Sequence, residues 1–234
     1  MTTPQTKHAL VVRGGWDGHQ PIEGTDLFIP FLEENGFTVE VHDSASIYAN
    51  AEVMAGVDLV VQCNTMTTIE KDEIAGLRAA VAAGTGIAGW HGGIADSYRN
   101  SADYLQLIGG QFAHHPGKEP ELRTGEQSDN YIPYRVDISE LGATHPIMAG
   151  ISSFELTTEQ YWVLSDDYND VLATTTLAAR EFDEWSRPIT SPAVWTRQWG
   201  EGRVFVSTPG HNVAALEDTN VRTIIERGLL WASR

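Results

Sequence analysis

A histidine stands where many α/β enzymes carry their nucleophile. Residues 86–93 read GIAGWHGG, with Gly89 and Gly93 two positions before and after His91. This spacing is typical of the tight turn between a strand and a helix that holds a reactive side chain clear of the backbone. An imidazole has an ordinary pKa of about 6.5, so His91 could be a general acid, a general base or a neutral hydrogen-bonding group. The flanking glycines favour a ligand-facing role over a structural one.

The thiol that some enzymes mount on such a turn is missing from it. Cys63 is the only cysteine, and it lies at the end of a different predicted strand, where a small buried apolar residue is expected. A single cysteine also excludes an intrachain disulfide. Amidase chemistry is therefore not predicted, and hydrolysis by Cys63 stays a third hypothesis.

Other polar residues could complete an acid/base set. Glu159 lies in a predicted strand among polar neighbours, where a solvated role is equally open. His211 follows a predicted strand at the end where ligands bind in a parallel sheet. We predict His91, Glu159 and His211 as catalytic residues, with His19 and His115 as further candidates.

The same residue types also bind divalent metals, through imidazole nitrogen and carboxylate oxygen. The sequence contains no His-Glu-x-x-His motif and no cysteine set, so the main interpretation assigns no metal. The alternative is a divalent metal held by His19, His91, His211 and Glu159. Residues 13–18 read RGGWDG, which is neither a complete Gly-x-Gly-x-x-Gly nor a P-loop, so NAD and ATP are excluded as cofactors.

The elements that position these residues alternate between strand and helix in the first half of the chain. Hydrophobic periodicity predicts strands over residues 8–13, 37–41, 58–62 and 86–89, and helices over 26–35 and from 67 to about 83. Thr67 and Glu70 have the spacing of a capping box. Because parallel strands need crossover connections, this alternation predicts a doubly wound sheet.

The second half is richer in strands. They are predicted over residues 134–138, 154–161, 171–176, 193–199 and 203–207, with a hairpin turn at 200–202 and a final helix over 221–232. With 234 residues, the chain can bury one large core. We predict an α/β fold with a doubly wound, mainly parallel sheet, flanking helices and an antiparallel extension, in a single domain over residues 1–234.

Charge limits the partners. The net charge is −17, from 32 acidic against 15 basic residues, so nucleic acid and anionic membrane surfaces are not expected partners. Residues 2–8 are polar and lack an apolar signal core, and no apolar run approaches the roughly 20 residues that cross a bilayer. We therefore expect a cytoplasmic protein.

Motifs spread along the chain resemble those of one known family. The turn at 89–93, Asp96, Tyr98, Arg99 and the run YLQLIGG at 104–110 look like the central signature of ThuA-like proteins. The resemblance continues through Phe112, His115, residues 145–147, 150–151, 154, 159, 161, 192–195, 200–205 and 210–211, and it spans 8–232. It implies a flavodoxin-like, class I glutamine amidotransferase-like fold, in which the amidotransferases carry cysteine where this chain has His91. One position departs from the pattern: Thr158 stands where the family often has an acidic residue, so a carboxylate pair with Glu159 is not implied.

The resemblance implies carbohydrate catabolism in a trehalose-utilisation context, with a sugar dehydrogenase as a functional neighbour and 3-keto-glycosides as substrates. A keto group acidifies the neighbouring C–H bonds, so cleavage or isomerisation needs a base, an acid and polar groups that hold the developing oxyanion. His91, Glu159 and His211 are the expected providers. The open alternatives are a non-catalytic sugar-binding partner protein and a metal-dependent version of the enzyme.

Substrate binding is predicted for residues beside these groups. Aromatic faces can stack on the apolar face of a sugar ring, and they also fill protein cores. We expect Trp16 and Trp90 to be sugar platforms and Asp17 and Asp96 to bind hydroxyl groups. His19 and His115 complete the predicted set. Tryptophans of the second half would suit a contact in a homo-oligomer.

Overall fold

The computed structural model describes residues 6–234, so most of the polar segment at residues 2–8 lies outside it. The strands are β1 Lys7–Gly15, β2 Phe37–His42, β3 Leu59–Thr65, β4 Gly86–Trp90, β5 Gly110–His114, β6 Tyr131–Ile138, β7 Phe154–Glu159, β8 Trp162–Ser165, β9 Asp170–Leu177, β10 Ile189–Trp199 and β11 Gly202–Ser207. The helices are α1 Pro21–Asp26, α2 Ile29–Glu34, α3 Ala51–Ala55, α4 Lys71–Ala82, α5 Gly92–Ala95, α6 Ala102–Ile108, α7 Glu140–Thr144, α8 Val213–Leu216 and α9 Thr219–Ala232.

Nine strands form one sheet in the order β2-β1-β3-β4-β11-β10-β9-β6-β7. The first five are parallel to one another, and the last four join through antiparallel pairings. The predicted α/β class and the antiparallel strands of the second half are confirmed. Strands β5 and β8 pair separately, and neither was predicted as a separate strand. The sequence GQFAH of β5 is poor in β-branched residues, and the strand predicted over 154–161 ends at Glu159.

Helices cover both faces of the parallel half. Along β1, Ala9 and Val11 belong to one hydrophobic core, and Leu10 and Val12 belong to the other. This alternation follows from the two-residue period of a strand that is buried on both sides. Within the described residues, no helix has the length and apolar character that a membrane crossing requires.

Two helix predictions are wrong in detail. The single helix expected over 26–35 is two short helices, α1 and α2, joined at residues 27–28. Pro30 has no N–H to donate to the carbonyl of Asp26, so one continuous helix cannot form there. The capping box is formed by Glu70 and Glu73, and not by Thr67 and Glu70, which places the start of α4 at Lys71.

One glycine of α9 lies directly against the sheet. A Cβ atom at Gly228 would overlap the ring of Phe205, which is fully buried in β11. We expect Gly228→Ala to lower the free energy of unfolding by about 1–3 kcal/mol, because an overpacked core must shift. Thermal or urea unfolding measures the change. Gly56→Ala is the control, since its added Cβ would meet no atom closer than 3.5 Å; equal losses in both variants would contradict the packing argument.

Candidate active site

The turn after β4 presents His91 in a strained backbone conformation. His91 has φ 46° and ψ −139° and is the N-cap of α5, and its N–H donates to the carbonyl of Ser207 at 2.6 Å. Within the described residues, the other non-glycine residues with positive φ are Gln20 and Met66. Both follow parallel strands at the same edge of the sheet. Backbone strain is therefore concentrated around one site, as is common where function requires a fixed geometry.

Four polar side chains meet at this edge and form a buried group that we call the His/Glu cluster: His19, His91, Glu159 and His211. One potential ligand atom from each lies within 4.8 Å of those of the others. In a flat sheet, the five strand-to-strand steps from β4 to β7 would separate His91 from Glu159 by about 24 Å at about 4.8 Å per step. The antiparallel half of the sheet must therefore curl over the carboxyl edge of the parallel half.

Three atoms of the cluster form a triangle with equal sides. His91 Nε2 lies 3.1 Å from Glu159 Oε2 and 3.1 Å from His211 Nδ1. His211 Nδ1 lies 3.1 Å from the same Glu159 oxygen. The ring of His19 stands nearly perpendicular to the rings of His91 and His211, with centroids 4.7 and 5.0 Å away. The donor and acceptor atoms of four residues thus converge on one small volume.

Burial sets the charge states of the cluster. Burial, followed by the nearby His91 and His211, lowers the pKa of His19 to about 2, and burial also lowers the pKa of His91. Burial alone would raise the pKa of Glu159, but its contacts with His211 and His91 outweigh this and hold the pKa below its ordinary value. His19 and His91 are therefore neutral imidazoles next to an ionised carboxylate at neutral pH.

A cavity of about 250 Å³ opens over the cluster. Its lining residues are Trp16, His19, Met66, Asp96, Phe112, His115, Gln127, Asn130, Glu159 and Tyr161. His91 and His211 lie behind this surface, each 1% exposed. A small molecule in the cavity would therefore contact His19 and Glu159 directly. It would not touch His91 and His211, which lie behind the cavity surface.

A family model described as trehalose utilisation, named ThuA, matches residues 8–232. The chain belongs to the ThuA family. This membership confirms the resemblance seen in the motifs and indicates a carbohydrate-related role. No curated protein matches the chain.

Solved structures share the ThuA fold with this chain. A ThuA-like protein from Bacteroides uniformis is 16% identical with a TM-score of 0.71, and the match covers 98% of this chain and 93% of the other. A ThuA-like protein from Parabacteroides merdae is 15% identical with a TM-score of 0.70, covering 97% and 90%. A protein from Salmonella typhimurium described as cytoplasmic is 14% identical with a TM-score of 0.64, covering 97% and 100%. At these identities, the likeness concerns the fold alone.

Several predicted substrate-binding residues of this ThuA chain surround the cavity. Trp16 is 40% exposed, and its ring meets that of His19 edge-on at 4.7 Å. Asp96 is buried and accepts hydrogen bonds from Arg99, one of them at 2.6 Å. His115 Nε2 lies 4.0 Å from Glu159 Oε1, and His115 Nδ1 is buried without a hydrogen-bond partner.

Two of the substrate-binding predictions need correction. Trp90 is 2% exposed and packs against Phe28 in the core, with ring centroids 4.8 Å apart, so it cannot offer a face to a sugar. It is the last residue of β4, and its side chain points into the core layer and away from the turn. Asp17 is exposed on its 3-10 turn and does not line the cavity.

Cys63 has the buried position that the sequence predicts. It is 2% exposed and lies beneath Gly93, and burial raises the pKa of its thiol to about 12. A protonated, inaccessible thiol is a poor nucleophile. The structure therefore gives no support to hydrolysis by Cys63.

The sequence analysis missed several residues that support the cluster. Thr65 Oγ1 lies 3.0 Å from His19 Nδ1, and the backbone carbonyl of Thr208 lies 2.7 Å from His91 Nδ1. Gln127 Nε2 lies 2.7 Å from His211 Nε2, and the ring of Tyr161 lies 4.0 Å from that of His91. Thr65 could have been found, because it closely follows the strand predicted over 58–62, at the ligand-binding edge of the sheet. Gln127 begins a short 3-10 turn that carries no comparable signal.

Proposed function

We propose that this ThuA chain is an enzyme of carbohydrate catabolism that acts on an oxidised sugar or glycoside. The reaction is proton transfer at a carbon next to a keto group, as in the cleavage or isomerisation of a 3-keto-glycoside. Family membership supports the carbohydrate class. The observation that carries the proposal is the convergence of three imidazoles and one carboxylate beneath a cavity of about 250 Å³.

The chemistry requires two kinds of group. Removing a proton beside a keto group leaves an electron pair that moves toward the carbonyl, so negative charge develops on the keto oxygen. Preorganised polar groups in a buried site stabilise that charge more effectively than water does. The His/Glu cluster supplies polar groups beneath the cavity.

The catalytic role that we assign to each residue depends on whether its side chain lines the cavity. His91 and His211 lie behind the cavity surface and contact Glu159, so we assign them to positioning its carboxylate. His19 lines the cavity, so we assign it to polarising the reacting oxygen. Glu159 reaches the cavity and holds the cluster electrostatically. His115 lines the same cavity and lies 4.0 Å from Glu159, so we assign proton transfer to its Nε2: the proton leaves the carbon for this nitrogen, and the electron pair enters the new C–C double bond.

Replacement of His115 tests this division. We expect His115→Asn to lower kcat by roughly 10²–10⁴-fold, the usual contribution of a positioned acid or base, with little change in substrate affinity. Steady-state kinetics give both quantities. His114→Asn is the matched control, because His114 is the exposed neighbour and does not line this cavity. Equal kcat in H115N and the wild type would remove His115 from the mechanism.

The reaction class can be tested with isotopes. Purified protein is incubated in D₂O with a 3-keto-glucoside and with a 3-keto-disaccharide, and the product and recovered substrate are examined by NMR. We expect enzyme-dependent conversion and deuterium at carbons beside the keto group. Neither conversion nor exchange above the enzyme-free rate would overturn the proposed reaction.

A second candidate function is non-catalytic sugar binding. The observation in its favour is the exposed Trp16 at the cavity, beside the exposed Met66, because such surfaces suit recognition of a sugar ring. His91→Ala separates the candidates. Retained binding with lost turnover supports the enzyme, and binding without turnover in the wild type supports the binding protein.

The cellular setting belongs to the same proposal. The partner is a small-molecule carbohydrate, and a sugar dehydrogenase is the class of enzyme that would supply an oxidised substrate. We also propose that the protein resides in the cytoplasm and that its fold is glutamine amidotransferase-like. The classification is supported by the order of the parallel strands, which is 2-1-3-4-5 when they are numbered along the chain, as in flavodoxin-like sheets. A homo-oligomer stays a prediction.

A further inference from the structure

One ring nitrogen of His91 points at the carboxylate of the His/Glu cluster. The carbonyl of Thr208 can only accept, so His91 Nδ1 must donate to it across 2.7 Å. Nε2 is then the nitrogen of this ring that is available to a ligand. It lies 3.1 Å from Glu159 Oε2 and 3.1 Å from His211 Nδ1, so three atoms that can each bind a cation face one another in a buried site.

A cation above the centre of the triangle, out of its plane, would contact all three atoms. Zinc-type ions hold nitrogen and oxygen ligands at about 2.1 Å, which separates adjacent ligands by about 3.0 Å at octahedral angles and about 3.4 Å at tetrahedral angles. The three observed separations of 3.1 Å lie between these values. His19 brings a fourth potential ligand atom within 4.8 Å of the others.

We infer that His19, His91, Glu159 and His211 bind one divalent transition-metal ion. Three imidazole nitrogens and one carboxylate oxygen suit zinc, manganese, iron or cobalt, and a single carboxylate supplies the negative charge. The surroundings agree with such a site. Metal-bound histidines usually donate their other ring N–H to a carbonyl or another fixed oxygen, as His91 does to Thr208 and as His19 can do to Thr65.

The metal site goes beyond the proposed reaction and does not depend on it. His19 and Glu159 line the cavity, so the ion would be reachable from that side, which is the arrangement of catalytic and not of purely structural sites. In that case the ion would polarise the keto oxygen. Only this last statement rests on the proposed function.

Metal analysis of the whole protein tests the site. The protein is stripped with a chelator and titrated with Co²⁺ or Zn²⁺, with metal content measured after desalting and the visible bands of Co²⁺ recorded. We expect one ion per chain, a ligand-field spectrum of nitrogen and oxygen ligands, and a higher melting temperature with the ion. No retained ion and no spectrum would overturn the inference.

Variants assign the ligands. We expect His91→Ala and His211→Asn to weaken binding by at least about 100-fold, while His114→Ala, outside the cluster, binds like the wild type. Melting curves in chelator show whether each variant is folded. Equal binding by folded H211N and H114A would contradict the assignment. Turnover retained after complete metal removal would exclude a role of the ion in the sugar reaction without contradicting the metal site. Tight metal binding without any turnover would support the site and contradict the proposed reaction.

Discussion

Replacing Glu159 by Gln is expected to lower turnover by roughly 10³-fold, the scale on which a buried electrostatic group acts in catalysis. Glu159 is the one anionic member of the His/Glu cluster, and it is 3% exposed. Glutamine keeps the shape but removes the charge, and it replaces one acceptor oxygen by an amide donor. Without the carboxylate charge, the cluster binds a cation poorly, and no negative charge lies next to His91 and His211.

Two measurements test the expected effect of Glu159→Gln. Turnover is compared with that of Glu155→Gln, a change of the same kind on an exposed residue of β7, which should behave like the wild type. Melting temperatures show that both variants fold. Full activity in a folded E159Q protein would show that the carboxylate takes no part in the reaction.

The second large effect comes from a residue that carries no side chain. A Cβ atom at Gly92 would overlap Cε1 and Nδ1 of His19, while the helical backbone of Gly92 would accept alanine without strain. We expect Gly92→Ala to push the His19 ring out of the cluster and to lower turnover by roughly 10²–10³-fold. All four members of the cluster remain present in the variant, so the loss would measure geometry alone.

A double-mutant cycle identifies the route of this effect. If Gly92→Ala acts through His19, the variant that combines it with His19→Ala is no less active than His19→Ala alone, because coupled changes are not additive. Independent, additive losses would show that the alanine disturbs something else. Full activity in Gly92→Ala would show that His19 can move without consequence.

Much of the fold can be predicted because its signals are local. The apolar runs of β1, β3 and β4, with the glycines that end β1 and follow β4, predict a parallel half with sites at its carboxyl edge, and the strands are found there. Hydrophobic spacing does not predict the break between α1 and α2, because the apolar residues keep their helical spacing across Pro30. The single-domain organisation stays a prediction.

The site could be predicted only in part, because local sequence patterns do not show which distant strands the folded sheet brings together. His91 follows a recognisable turn, whereas Glu159 ends a strand five positions away in the sheet, and only its curl brings the two together. Trp90 was misassigned for a related reason: the turn was visible in the sequence, but the direction of its side chain depends on which layer of the core it fills.

The curl of the sheet also governs when the chain becomes reactive. His19 and His91 come from the parallel half, Glu159 comes from the opposite edge strand, and His211 follows the last strand. A partly folded molecule, or a fragment that ends before β7, would hold scattered imidazoles with ordinary properties. Competence to act on a substrate should therefore arise only in the finished tertiary structure, and its appearance during refolding would report that the final closure is complete.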